Sequence, residues 1–182
     1  MIKSNRSFLI TKLKNNIKII DSFISDEKKN FMILTSIGRI FKYNLSNKIL
    51  KPTSKQSQGL MLAKLLPTEK IVSCCTYENG ENIYLVSRQG KIFCLNSNEI
   101  YYANEFSLGY LNEKTELKND HFVKILPSKN YLDIETNKNK SVRLDLDKIN
   151  FKSYKTNFLI EFLNLDKEEY VENCFRLQNF LN

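Results

Sequence analysis

Glycine is scarce in this chain, with only five among 182 residues. No segment matches the glycine-rich loops that cradle phosphate in Walker-type or dinucleotide-binding proteins, which excludes nucleotide chemistry of those kinds. Histidine is scarcer still, His121 being the only one. It opens an expected strand with no partner in sequence, and reads as a strand-edge residue rather than a general base. The four cysteines, Cys74, Cys75, Cys94 and Cys174, lack metal-site spacing, and the neighbours Cys74 and Cys75 make a poor disulfide. All four fall on expected strands, where a small buried hydrophobe is the ordinary role. Asp145 and Asp147, in RLDLDKI, fall short of the three or more oxygen ligands a hard cation takes. No catalytic group, metal or cofactor is expected. Also lacking is any apolar run near the roughly 18 residues of a membrane span. MIKSNRSFLITKLKNN at the start has neither a continuous apolar core nor a cleavage site, so no secretory leader is expected. A reducing cytoplasm is the expected location.

Acidic residues are in the minority, 20 against 28 Lys and Arg, for a net charge of +8. Only five of the basic residues are Arg, and the chain is rich in Lys, Asn and Ile, the skew an AT-rich coding sequence produces by itself. The distribution says more than the total. Residues 1–69 hold 13 basic and 4 acidic residues, a net of +9. Residues 70–120 hold 5 and 7, net −2, and residues 121–182 hold 10 and 9, net +1. A surplus gathered at one end suits a polyanionic partner.

What the chain does have is a repeat. In LVSRQGKIFCLNSNEI, residues 85–100, apolar residues alternate up to a Gln-Gly turn and alternate again beyond it, which is the signature of a β-hairpin. Nearly the same phrase stands earlier as ILTSIGRIFKYNLSNKI, residues 33–49. Aligned on the turn, Gly38, Gly90 and Asn139 are equivalent, and all three residue types tolerate the positive φ of a tight hairpin. Phe31/Ile33, Ile83/Leu85 and Leu132/Ile134 precede the turns; Phe41/Tyr43, Phe93/Leu95 and Val142/Leu144 follow them. A third strand is expected earlier in each unit, at Ile19-Ile20, Ile71-Val72 and Phe122-Val123. The connectors repeat too, each with Gly or Asn (Gly59, Gly109, Asn157) and then an acidic turn before the next strand.

About four strands per unit over roughly 50 residues read as propeller-like blades. One small sheet cannot bury its own faces, whereas stacked neighbours can. The expected fold is therefore all-β: three blade-like, four-stranded antiparallel units forming a partial β-pinwheel or propeller. The chain reads as a single repeat domain, 1–182, with units at about 17–69, 70–120 and 121–173. A β-sandwich or open barrel with accidental self-similarity is the alternative.

NIYLVSRQGKIFCLNSNEI, followed by a loop ending in Gly and then KNDHFVKIL, resembles the repeats of the DNA gyrase / topoisomerase IV C-terminal domain family. The resemblance covers roughly residues 17–173. It implies a β-pinwheel whose blades exchange strands with their neighbours and whose basic rim bends DNA. Three departures stand out. The chain has three units, fewer than a typical gyrase disc. Nothing in it corresponds to an ATPase partner or to a cleavage domain with its tyrosine. The family's basic glycine-rich box is reduced to SKQSQGL, residues 54–60, without paired arginines or a double glycine. The resemblance implies a non-catalytic, sequence-independent binder of double-stranded DNA, associated with the nucleoid. A blade module that docks a type II topoisomerase or another protein, or associates with itself, is the alternative.

Duplex binding needs cations spaced over a surface. The residue after each turn is basic in all three units: Arg39, Lys91 and Lys140. Further candidates are Lys42 and Arg143, then Lys48 and Lys148, and in the first connector Lys51 and Lys55. Tyr101-Tyr102 falls in a loop with no basic cluster around it. Co-facial Arg39, Lys91 and Lys140 would favour DNA binding, whereas a co-facial apolar patch would favour protein docking.

Overall fold

Tight turns set the architecture, and each forms where the sequence places it. Gly38, Gly90 and Asn139 take φ of 93°, 81° and 59° in the computed structural model, and their amides donate to the carbonyls of Thr35, Ser87 and Thr136 at 2.9–3.0 Å. The structure describes residues 17–23, 29–45, 60–104, 107–111, 117–149, 158–159 and 165–176. Each turn joins an antiparallel pair: β1 (Asn30–Thr35) with β2 (Ile40–Asn44), β4 (Asn82–Ser87) with β5 (Lys91–Asn96), and β7 (Tyr131–Thr136) with β8 (Ser141–Asp145).

Each hairpin is completed by a strand from further along the chain. β3 (Ile71–Tyr77) pairs with β1, β6 (Phe122–Pro127) with β4, and β10 (Val171–Phe175) with β7. On the outer side, β9 (Phe158–Leu159) pairs with β5. At the equivalent place in the first sheet, Tyr110 and Ile40 exchange backbone hydrogen bonds of 2.7 Å each. Gly109 and Asn157, aligned in sequence, precede Tyr110 and Phe158, which pair with the equivalent residues Ile40 and Ile92. The sheets therefore straddle the sequence periods. Among the described residues they hold three, four and three strands rather than four each.

The expected strand at Ile19-Ile20 does not form: residues 17–23 take no strand pairing, and Ile19 and Ile20 are exposed. Its counterparts β3 and β6 pair with the hairpin before them, and among the described residues no hairpin precedes residue 17.

The sheets stack as blades. Ile83, Leu85, Phe93 and Leu95 of the second blade meet Met32, Leu34 and Ile40 of the first in one core. Leu132, Ile134 and Leu144 of the third meet Tyr84, Val86 and Ile92 of the second in another. β1 and β4 are thus buried on both faces, so Met32, Leu34, Tyr84 and Val86 join the alternating residues expected from sequence. Of those, Val142 alone is half-buried. Backbone bonds tie the stack together near the turns: Phe122 N–H donates to Ser36 O (3.1 Å) and Val171 N–H to Arg88 O (2.8 Å).

The two ends of the stack differ. The third blade carries Asp133, Glu135 and Arg143 on the face away from the second blade, with Arg143 Nε bonded to Asp133 at 2.7 Å. The first blade turns Phe31, Ile33, Phe41 and Tyr43 outward, and the chain itself covers them. Phe23 packs on Phe31 at 5.5 Å between ring centroids, Leu62 and Ala63 lie against the cluster, and Tyr43 Oη donates to the Leu62 carbonyl.

Candidate nucleic-acid interface

The strand directions divide the loops between two ends of the blades. The three hairpin turns share one end with the turns that precede β3, β6 and β10. Ser36, Arg88 and Asn137 donate their amides to the carbonyls of Lys70, His121 and Tyr170 at 2.8–3.1 Å. That end carries Lys70, Lys91, Lys118, Lys138, Lys140 and Lys167, all exposed except half-buried Lys91. Against them stand Asp120, Asp166, Glu168 and Glu169. The opposite end carries Glu78, Glu81, Glu99, Asp145 and Asp147 against Lys29, Lys129, Lys148 and Arg176. Charge is therefore polarised between the ends, with the cations in the majority where the turns gather.

A local rule places the cation beside each turn. An acid stands two residues before each inner strand: Glu69, Asp120 and Glu169. In the first blade the pair is closed. Arg39 is only 5% exposed. Its Nε reaches Glu69 Oε1 at 2.7 Å, its Nη2 bonds Glu69 Oε2 and, at 2.9 Å, the Lys64 carbonyl, and its Nη1 bonds the Leu108 carbonyl at 2.6 Å. The guanidinium also lies over Phe41, 5.3 Å from the ring centroid. Burial works to raise the Glu69 carboxyl, but hydrogen bonds from Arg39, Thr35 and the Leu66 amide outweigh it and hold the group below the usual range. In the third blade the Thr136 hydroxyl donates to Glu169 at 2.7 Å, and with that bond the charge of Lys140 helps hold Glu169 low. In the second, Asp120 Oδ1 accepts from the Gln89 and His121 amides at 3.2 and 2.8 Å.

Two of the expected phosphate contacts are thereby corrected. Arg39 is interior, because every face of its guanidinium meets the protein. Lys42 is interior as well, at 3% exposure. Its ammonium donates to the carbonyls of Ser97 (2.9 Å) and Ile100 (3.0 Å) and sits 4.2 Å from the Tyr102 ring centroid, so it ties the first blade to the chain leaving the second. Burial lowers its pKa. Tyr102, expected in a loop away from any cation, packs on one.

The remaining candidates do not form one row. Lys91 and Lys140 share the hairpin-turn end. Arg143 lies on the outer face of the third blade, bonded to Asp133, and Lys148 lies at the opposite end, 3.1 Å from Asp145. Lys48, Lys51 and Lys55 lie outside the described residues. Lys70, Lys118, Lys138 and Lys167 were missed from sequence. Lys118 and Lys167 each stand two residues before the repeated acid, a register the alignment on the turns could have exposed.

No group of three or more potential metal ligands occurs among the described residues, and none of their helices is long and apolar enough to cross a membrane. Asp145 and Asp147 do not share a face: Asp147 lies in the turn beyond β8, and its amide donates to Asp145 Oδ1 at 3.2 Å. Burial raises the thiols of Cys74 and Cys174, to about 11 and about 12, and that of Cys75 further, so none is a ready nucleophile at neutral pH.

A stack of antiparallel blades, each completed by a strand from the next unit, defines a strand-exchanged β-pinwheel. Solved structures agree. The C-terminal domain of DNA topoisomerase IV superposes with a TM-score of 0.74 at 15% identity, over 93% of this chain and 53% of that one. The DNA gyrase A C-terminal domain gives 0.58 at 25% identity, over 68% and 40%. The E. coli ParC C-terminal domain gives 0.53 at 13%, over 82% and 62%. The chain has the β-pinwheel fold of these C-terminal domains and spans about half the length of the structures it matches. No protein-family model and no curated protein matches it.

Proposed function

We propose that the chain is a non-catalytic module that binds duplex DNA without sequence preference. The observation that carries this reading is the gathering of lysines from all three blades at the hairpin-turn end, opposite an end rich in carboxylates. Cations that project from successive blades meet phosphates along a duplex, and the counterions released supply affinity without any base being read. The likeness to topoisomerase C-terminal domains supports the same partner. Lys48, Lys51 and Lys55 of the first connector, outside the described residues, belong to the net +9 of residues 1–69, a surplus that suits the same polyanionic partner.

The test is a titration of linear and supercoiled DNA over a range of salt. With about four to six phosphates neutralised, log affinity falls against log salt with a slope of roughly −4 to −5. Replacing Lys138, Lys140 and Lys167 by Gln flattens the slope by about two to three units, whereas the same change at Lys129 and Lys148 leaves it within about one. Equal effects at the two ends, or binding indifferent to salt, would overturn the proposal.

A further inference from the structure

Of the three strands that leave the hairpin turns, β8 is the least covered. Ile40 of β2 and Ile92 of β5 are each 1% exposed, whereas Ser141, their counterpart in β8, is exposed. Phe41 and Phe93 are buried, and Val142 is half-buried. Ile100 is buried, and its counterpart Ile149 is half-buried. The difference lies at the outer edge of the sheet. There Tyr110 and Phe158, from Gly109-Tyr110-Leu111 and Asn157-Phe158-Leu159, pair with Ile40 and Ile92. Among the described residues no strand pairs with the outer edge of β8. That edge is nevertheless aimed as in the other blades. Leu34–Ile40, Val86–Ile92 and Glu135–Ser141 are equivalent cross-strand pairs. The bond from Thr136 N–H to Lys140 O repeats that from Thr35 N–H to Arg39 O, each at 3.0 Å. Ile40 makes its two backbone bonds on the outer side, with Tyr110, so Ser141 N–H and C=O point outward as well.

We infer that this edge takes residues 179–181 of a second copy of the chain, exchanged reciprocally about a two-fold axis. Asn179-Phe180-Leu181, outside the described residues, repeats residue for residue the Asn-Phe-Leu whose last two members pair with β5. It carries what the edge lacks: a backbone to meet Ser141, and a ring to lie beside Val142 and Ile149. Tyr110 likewise lies against the core that holds Ile40 and Ile100. Reach decides which copy supplies it. Asn157 arrives at β5 after a whole hairpin has carried the chain outward, but only Arg176, Leu177 and Gln178 separate Asn179 from β10. β10 lies on the inner side of β7, and Phe175 is level with Arg143 through Asp133. The place beside Ser141 is three strand spacings away and two residues back toward the turn. A straight line to it runs about 16 Å through the body of the sheet, and a route over either face is several ångströms longer. Five residues, from Phe175 to Phe180, span at most about 17 Å. The segment therefore falls short of its own edge and meets that of a neighbour. Each copy gives one segment and receives one, so the exchange closes at two.

The experiment reads hydrogen exchange at the Ser141 amide in the full chain without DNA, with sedimentation at the same protein concentration. In the parent, Ser141 exchanges at least about tenfold more slowly than in Phe180→Asp, while the amides of Ile40 and Ile92 are alike in the two. The parent sediments as a dimer. Phe180→Asp and Ser141→Pro sediment as monomers with the parent's circular dichroism, since proline is tolerated at the first position of an edge strand. Mixing the two variants tests the exchange itself. Isotopically labelled Phe180→Asp keeps its edge, unlabelled Ser141→Pro keeps its segment, and protection returns at Ser141 of the labelled chain when they are combined. A monomeric parent, or a Ser141 amide that exchanges equally fast in parent and Phe180→Asp, would overturn the proposal. So would protection in the parent that mixing does not restore, because the segment would then be supplied within one chain.

Discussion

Arg39 and Glu69 show how a residue can be legible in type and misleading in place. A cation beside an exposed hairpin turn reads as surface, because sequence does not show that a carboxylate 30 residues further on returns to the same point. In the folded chain the pair is among its most buried polar groups, with side chains 7% and 1% exposed. Removing one member strands the other without water, so Glu69→Ala is expected to cost about 3–5 kcal/mol by urea denaturation, and a smaller loss follows if both are replaced by apolar residues of similar volume. The pair also sets an acid limit. The Glu69 carboxyl is held below its ordinary value in the folded state, so its contribution is fully present above the unfolded carboxyl pKa of about 4.3 and is lost as pH falls through the lower folded value. Stability measured from about pH 6 down to about pH 3 should fall less steeply in Glu69→Gln than in the parent.

The hairpins were the most legible elements, because three-residue turns that end on a left-handed Gly or Asn leave a chemical mark. Gly38 illustrates the cost of erasing it: φ is +93°, and a Cβ there would stand 2.7 Å from Phe122 Cε2 in the next blade. Gly38→Ala is expected to destabilise by about 1–2 kcal/mol from backbone strain alone, with more from displacing that ring. An unchanged urea midpoint would refute this account. The alternating apolar residues were legible for the same reason, and eleven of the twelve expected on blade faces are buried, with Val142 half-buried. The second buried face of β1 and β4 was not, since a strand covered on both sides reads as an apolar run in which neither face stands out. The phase of the sheets was also hidden. Nothing local in Ile71-Val72 or Phe122-Val123 says whether a strand pairs backward or forward, and only the observed ladders show that both pair backward. The site was the least legible, because the charge on a lysine does not say at which end of a strand its turn will lie.

Across the whole molecule, strand exchange makes the blades interdependent. The β4–β5 hairpin borrows β6 from beyond residue 121 and β9 from beyond residue 157. A chain ending at Asp120 therefore keeps the residues of two hairpins but the inner strand of only one, and it loses Phe122 and Ile125 from the core between the first two blades. Such a truncation is expected to lose far more strand signal by circular dichroism than its missing third would contribute. The parent, in contrast, should unfold in one transition that tyrosine fluorescence and far-ultraviolet dichroism report at the same urea concentration. Two separated transitions, or a truncated chain with a native-like second blade, would contradict the interdependence.

Because every sheet straddles the boundary between one period and the next, the repeat has no privileged joint at which to cut or splice. An unequal crossover that removes one full period of about 50 residues, wherever its breakpoints fall, joins a hairpin to an inner strand of the right kind. The number of blades can then grow or shrink over generations without a half-built sheet as an intermediate. Any blade without a neighbour on one side bears the cost of such a change, because that face must turn polar or find another cover, as the outer face of the first blade finds residues 17–23 and 60–66.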